Sequence, residues 1–480
     1  MQFDQFRQLQ ARRQFLKNAA CGFGSIALAD MMASDGLLAA TGPVLNPLAP
    51  RKPHFAPTAK HVIFLFMEGG PSQMDLFDPK PALQKYHGQS LPASMTKDLK
   101  LAFTKPTAKV LGSPRVFTPH GQSGMMLSDY LPNLGTCADD ICMVRSMYTE
   151  AFNHHPGQLM LFTGSIQFGR PTMGAWATYG LGTESQNLPG FVVLSSGVGT
   201  SGGASNFLSG FMPSTYQGTQ FRSSGEPILY LSNPEGMSQQ TQRAGLDVIK
   251  ELNEKHYTDT GDVEIASRIQ SYELAYRMQM SAPELLDFSK EDPKTLEMYG
   301  VGKKPTNEFG SNCLLARRMV ERGVRFVLMM DASWDTHTNL NKKLKEKCDA
   351  TDQPIAALIK DLKRRGLLDD TLIVFGGEFG RTALSEVRNL SDPDNAGRDH
   401  HPNGYSMWLA GGGIKGGQTI GSTDEMGFNI TEDKVHIHDL QATMLHTLGF
   451  DHTKLTYRHT GRDYRLTDVS GEVVKKMLRG

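Results

Sequence analysis

From Leu362 to Thr382 the chain reads LKRRGLLDDTLIVFGGEFGRT. A charged helix end passes through Gly366 and a turn at Asp369-Asp370 into the apolar run Leu372 to Phe375. That run stops at Gly376-Gly377-Glu378-Phe379-Gly380-Arg381. A short, wholly apolar strand behind a helix fits a parallel sheet buried on both faces. In such sheets ligands bind outside the carboxyl ends of the strands. Glu378 and Arg381 therefore stand where chemistry is usually done, although an ordinary helix-to-strand connection with solvated charges has the same look.

Working outward, similar apolar runs occur at His61–Met67 (HVIFLFM), Asp140–Met147, Gly190–Ser195, Val324–Met330 and Ser406–Ala410. Helical periodicity lies between them. Ile265, Ile269, Tyr272 and Tyr276 share one helix face, and further helices are expected at Asn307–Arg322, Ala356–Arg365 and Asp439–Leu448. Alternation of this kind predicts an α/β fold, a mostly parallel central sheet sandwiched by helices. Residues 61–480 are expected to form one domain. The Gly/Ser-rich loop insertion near 195–225 reads as a substrate-facing cap.

Of the 480 residues, 50 are Lys or Arg and 50 are Asp or Glu. This balance argues against electrostatic capture of nucleic acid. Arg12-Arg13-Gln14-Phe15-Leu16-Lys17 precedes a mild, small-residue run, so residues 1–42 resemble a twin-arginine export signal. The expected partner is the twin-arginine export machinery, and the expected location periplasmic or extracellular. Gly22, Gly24, Asp30, Ser34 and Asp35 break the run before a membrane span accumulates. Residues 43–60, Pro-rich and without periodicity, read as a linker. Beyond the signal, Cys137, Cys142, Cys313 and Cys348 form no CxxC pair, which argues against a thiolate zinc site. Their even number permits disulfides.

Five polar clusters follow or flank strands. Glu68-Gly69-Gly70 leads to Asp75 and Asp78, and Glu68 is a candidate metal ligand. Asn153-His154-His155-Pro156-Gly157 opens a short apolar helix whose first N–H groups would face an anion. Asp331 to His337 (DASWDTH) holds Asp335 and His337 two apart on an extended chain, so both point the same way. A carboxylate and an imidazole so placed suit a divalent cation. Glu378 with Arg381 is the fourth cluster, and Gly397-Arg398-Asp399-His400-His401-Pro402 is the fifth, expected on a loop. Brought to one edge, these clusters would build a metal centre flanked by arginine, suited to sulfate or phosphate esters. His436-Ile437-His438-Asp439 reads as a helix start.

The order of clusters resembles the alkaline phosphatase superfamily, and its sulfatase branch in particular. HHPGQLMLFTG is similar to the sulfatase signature, with His154 in the nucleophile position and Gly157 and Gln158 replacing serine and arginine. Gly377-Glu378-Phe379-Gly380 stands where that branch has Ser-Asp-His-Gly. Asp335, His337 and His400 fall in the order of an aspartate and two histidines of one metal site. The whole mature chain is similar to the family called domain of unknown function 1501. It shares the twin-arginine leader, GGPSxxDxFDPKP at Gly69 to Pro81, WDTH at Trp334 to His337, GEFGRT at Gly377 to Thr382 and GRDHxP at Gly397 to Pro402.

The resemblance implies an alkaline phosphatase-like fold and an exported, metal-dependent hydrolase of a small-molecule or polysaccharide ester. Asp335, His337, Glu378, His400 and Glu68 are the expected metal ligands, with histidine favouring zinc, manganese or iron over calcium. His154 and Arg381 are the expected catalytic residues. Arg381, Arg398 and His155 are the expected substrate-binding groups. With no Cys, Ser or Thr at position 154, a metal-activated water is the expected nucleophile and His154 its base. The competing expectation is a binding or scaffold protein that has kept the pocket and lost turnover. A phosphoglycerate-mutase-like transferase would need a serine nucleophile, which is not found.

Overall fold

The computed structural model describes residues 46–96, 99, 101–197, 199–221, 233–386 and 395–480. The twin-arginine segment, residues 43–45 of the expected linker, and residues 198 and 222–225 of the insertion lie outside the described residues. The strands in chain order are β1 His61–Met67, β2 Phe117–His120, β3 Met125–Ser128, β4 Ile141–Tyr148, β5 Phe191–Ser196 and β6 Thr219–Phe221. They continue with β7 Phe326–Asp331, β8 Thr371–Gly376, β9 Gly380–Ser385, β10 Arg398–His401, β11 Tyr405–Ala410 and β12 Gln418–Ile420. The last are β13 Ser422–Thr423, β14 Ile430–Glu432, β15 Val435–His436, β16 Tyr457–His459 and β17 Arg462–Tyr464.

Nine of them form the central sheet, in the order β12-β4-β11-β8-β1-β7-β5-β6, with β15 also on β4. β11 runs against its neighbours β4 and β8, whereas every other pairing is parallel. Strand β1 shows why the runs are apolar throughout. Val62, Phe64 and Phe66 pack on one face with the helices His154–Thr163, Met173–Leu181 and Ile437–Thr447. Ile63, Leu65 and Met67 pack on the other with Asn307–Val320 and Leu340–Arg364. Alternate side chains point to opposite faces, so a strand covered on both sides cannot carry a polar period. The mostly parallel sheet flanked by helices is the architecture expected above.

Parallel strands present their carboxyl ends on one edge. Glu68 follows β1, Asp335 and His337 follow β7, Glu378 follows β8 and His154 follows β4. Because β11 is reversed, its beginning lies on that same edge, and β10 just before it delivers His400 there.

Several expectations need correction. Residues 46–60 are no free linker: Leu48 and Ala59 are buried, and Arg51 N–H donates to Leu181 O at 2.8 Å. Thr58 and Ala59 donate to Thr447 O, each at 2.9 Å, so tertiary bonds order a segment that lacks any periodicity. The GRDHHP segment is a strand, paired with β9 at His400↔Arg381. The helix expected from Ala356 begins at Leu340, with Pro354 inside it. The polar helix Gln239–Thr260, of which Tyr257 alone is buried, was not among the expected helices. Cys137, Cys142, Cys313 and Cys348 are buried free thiols, so no disulfide forms among them.

Candidate metal centre

Asp335 is the hub of the edge. It is reached through a tight backbone path in which Ser333 takes a left-handed conformation (φ 76°) and Trp334 N–H donates to Glu68 O at 3.0 Å. Gly69 lies against the same backbone: a Cβ there would fall 2.2 Å from Asp335 N, and its φ is +113°. Only glycine tolerates both demands, which is the local reason for the Gly69-Gly70 pair. The neighbouring carboxylate Asp331 is buried and tied to Trp334 Nε1–H at 2.8 Å and Lys347 Nζ at 3.0 Å, so it serves structure.

Three imidazoles converge on Asp335 through their Nε2 atoms. His337 Nε2 lies 2.9 Å from Oδ1, His400 Nε2 3.4 Å from Oδ1, and His154 Nε2 3.3 Å from Oδ2. The ligand atoms of these four residues all lie within 4.8 Å of one another. Each ring is held from behind by its Nδ1. His337 bonds Glu386, His400 donates to the Phe152 carbonyl at 2.8 Å, and His154 bonds Glu378 Oε1 at 2.7 Å. Fixing Nδ1 leaves Nε2 as the outward lone pair, as in metal-ligating histidines. His154 Nε2 is buried and makes no hydrogen bond beyond its loose 3.3 Å contact with Asp335 Oδ2. A loosely held imidazole nitrogen beside a carboxylate and two further imidazoles fits a divalent cation of the zinc, manganese or iron type.

Electrostatics agree with that fit. Burial works against the charge of Asp335, but bonds from the three histidines and the field of Arg381 hold it far below the usual carboxylate range. Burial also opposes protonation of His154, yet Asp335 and Glu378 carry its pKa up to about 9. The bond to Asp335 raises His337, while burial lowers His400. Protons on His154 and His337 thus balance the carboxylates where a cation would otherwise do so.

The structure divides the expected ligands into two sets. Glu378 and Glu68 fall outside the four-residue group and form another with His154. Glu378 is fully buried and accepts from Gly69 N–H at 3.2 Å, so it braces His154 instead of completing the first group. Glu68 accepts from Gln158 Nε2 and Ser201 N–H, both at 3.3 Å. His155 is not brought to Asp335. Its Nε2 meets Ser205 Oγ at 3.1 Å, on the Gly/Ser-rich loop that reaches this edge.

The two expected anion clamps are corrected. Arg381 is fully buried: Nε donates to Gly70 O at 3.1 Å, one terminal nitrogen to Arg398 O at 2.9 Å, and the other to Gly69 O and Asp335. Arg398 is equally buried, with Nε 2.8 Å from Asp75 Oδ2 and further bonds to Thr382 O and Ala383 O. Both guanidinium groups tie together the loops that carry the ligands. Arginine next to a predicted strand end looks the same in sequence whether it faces ligand or backbone.

Glu386 escaped sequence reading, and Asp399 and Phe379 were named without their supporting roles. Glu386, behind His337, follows GEFGRT by four residues and belongs to no recognised pattern. Asp399 accepts the N–H groups of Phe103, Thr104 and His400 and so fixes the ligand strand. Phe379 packs on His154 and His400 with ring centroids at 5.1 and 4.5 Å. Of the consecutive imidazoles, His400 faces Asp335 and His401 points away to Phe428 O, as alternation along a strand requires.

Fold and site together define an α/β protein with a histidine–carboxylate centre at the carboxyl edge of its sheet. The chain belongs to the DUF1501 family, described as a protein of unknown function, which matches residues 59–478. No curated protein matches it. Similar solved structures include the PsFucS1 sulfatase from Pseudoalteromonas sp., at 13% identity, 88% of this chain, 70% of that chain and a TM-score of 0.36. Another is the alkaline phosphatase of the Antarctic bacterium TAB5, at 12% identity, 74% of this chain, 92% of that chain and a TM-score of 0.28. A third is an alkaline phosphatase superfamily protein from Vibrio parahaemolyticus, at 11% identity, 85% of this chain, 70% of that chain and a TM-score of 0.32. No helix among the described residues is long and apolar enough to cross a membrane.

Proposed function

We propose that this chain is an exported metal-dependent hydrolase of a sulfate or phosphate ester. The observation that carries the reading is the convergence of His154, His337 and His400 on Asp335, each imidazole tied at Nδ1 and turned inward at Nε2. Asp335, His337 and His400 would hold the cation, three protein ligands being the number that leaves a catalytic site open. When bound, the cation supplies Lewis acidity and a water of lowered pKa. His154 accepts a proton at Nε2 while Glu378 keeps hold of Nδ1 and stabilises the imidazolium, an acid–base pair of the histidine–carboxylate kind. Arg381 positions Asp335 and the Gly69-Gly70 turn. His155 and the loop around Ser201 and Ser205 would border the ester group.

Export by the twin-arginine route to the periplasm or beyond belongs to the same proposal and rests on Arg12-Arg13 and the run that follows. The test is a screen of aryl sulfates, phosphomonoesters and phosphodiesters with metal-loaded protein. Turnover lost in His154→Gln by roughly 10²–10⁴-fold, with metal content retained, supports the assignment. Tight metal binding with no turnover on any ester class would favour the binding or scaffold reading.

A further inference from the structure

Beside the histidine cluster, and sharing no side chain with it, lies a cavity of about 630 Å³. Its wall is continuous with the centre along the chain: Asn339 stands two residues after His337, and Ala396 two before Arg398. Leu340 N–H donates to Ala396 O at 2.9 Å and joins those two segments.

Charge on the walls is one-sided. Arg115, Lys342 and Lys345 line the cavity, and no Asp or Glu does so among the described residues. In a chain with equal numbers of acidic and basic residues, such segregation creates a local positive field. The Arg115 guanidinium lies over the Tyr130 ring at 4.0 Å, and Lys345 Nζ is 5.8 Å from the same ring. Arg115 Nε is buried and has no hydrogen-bond partner, and its contact with Asp129 is a long 3.4 Å. Lys345 pairs with Asp349 at 2.5 Å, whereas Lys342 is exposed at the rim.

Two further donors add to this. Gly112 N–H donates to His87 Nδ1 at 3.0 Å, which places the ring proton on Nε2. The helix Leu340–Arg364 begins in the wall with no acidic residue in its first turn and no side-chain cap from Asn339. Its positive dipole end therefore meets the Ala396 carbonyl but no carboxylate in that turn.

We propose that this cavity is a second anion subsite that seats an additional sulfate, phosphate or carboxylate group of the substrate. That the ligand is substrate rests on the hydrolase reading; the binding itself does not. The subsite narrows the substrate class to esters carrying two or more anionic groups. A lone ester on a neutral alcohol would leave Lys342 and the buried Arg115 Nε unused.

Titration calorimetry of the full protein with sucrose octasulfate tests this, with sodium sulfate at matched ionic strength as the inorganic arm. The expected result is salt-sensitive binding of sucrose octasulfate, weakened about tenfold by Lys342→Glu and again by Lys345→Glu. His337→Ala, which removes a ligand of the proposed metal, should leave that binding intact. Failure of turnover would therefore sink the hydrolase without touching the subsite. Unchanged affinity in both lysine variants would overturn the proposal, as would sodium sulfate binding as tightly as sucrose octasulfate.

Discussion

The imidazole of His154 and the fully buried carboxylate of Glu378 are joined by a 2.7 Å hydrogen bond across 224 residues of sequence. That bond links the two groups of ligand-type side chains at the sheet edge, since His154 belongs to both. It also sets the protonation of the centre. In metal-free protein His154 keeps its proton up to about 9, burial opposing and Asp335 and Glu378 prevailing. The folded pKa lies above the ordinary 6.5, so the stabilisation is complete below 6.5 and is lost as pH rises through about 9.

For chelator-treated protein this amounts to about 3 kcal/mol at most, read from urea unfolding at pH 6 and at pH 10. A protonated His154 would repel a cation held by Asp335, His337 and His400, so affinity for zinc or manganese should climb over the same interval. A metal affinity that is flat from pH 6 to pH 9 would remove His154 from the centre.

Glu386 grips the rear nitrogen of His337 while remaining partly exposed itself. Glu386→Gln should leave the unfolding midpoint nearly unchanged and weaken metal binding by about 10–100-fold. Competition against a chelating dye reads this directly. Equal metal affinity would mean that the Glu386–His337 contact is an ordinary surface pair.

Arg381 distinguishes a scaffold from a clamp. Arg381→Lys cannot serve Gly69, Gly70, Arg398 and Asp335 together, so buried carbonyls lose their donors. A loss of about 3–5 kcal/mol in urea unfolding is expected. An intact fold with only a raised KM would restore Arg381 as an oxyanion clamp.

Gly69→Ala and Gly124→Ala separate steric conflict from backbone preference. Both glycines have positive φ, but a Cβ at Gly69 would overlap Asp335 N whereas the one at Gly124 meets nothing within 4 Å. The second change should cost about 1–2 kcal/mol. The first should cost at least about 3 kcal/mol and displace Asp335 enough to weaken metal retention. Similar losses for the two would show that Gly69 matters only for its φ.

Much of the architecture was legible because a strand buried on both faces must be apolar at every position, as HVIFLFM is. Asp335 and His337 stood out as candidates because polar residues just past such a strand have no packing reason to be there, and His400 because it lies in a polar cluster just before one. What was hidden depends on burial and direction, which residue type does not encode. Arg381 and Arg398 turn inward to carbonyls and a carboxylate, and Glu378 braces His154 where a metal ligand was expected. The helix Gln239–Thr260 buries Tyr257 alone and leaves Val248, Ile249 and Leu252 exposed, so its apolar residues do not report on the core. Residues 46–60 are ordered by bonds to Leu181, Thr447 and Gly449, partners far away in sequence.

The most direct test is the metal content of protein purified without chelators, measured by inductively coupled plasma mass spectrometry for the native chain and for Asp335→Ala. Near-stoichiometric zinc, manganese or iron in the native protein, absent from the variant while its circular dichroism is unchanged, is the predicted result. Native protein free of transition metal that also fails to take any up on dialysis would contradict it.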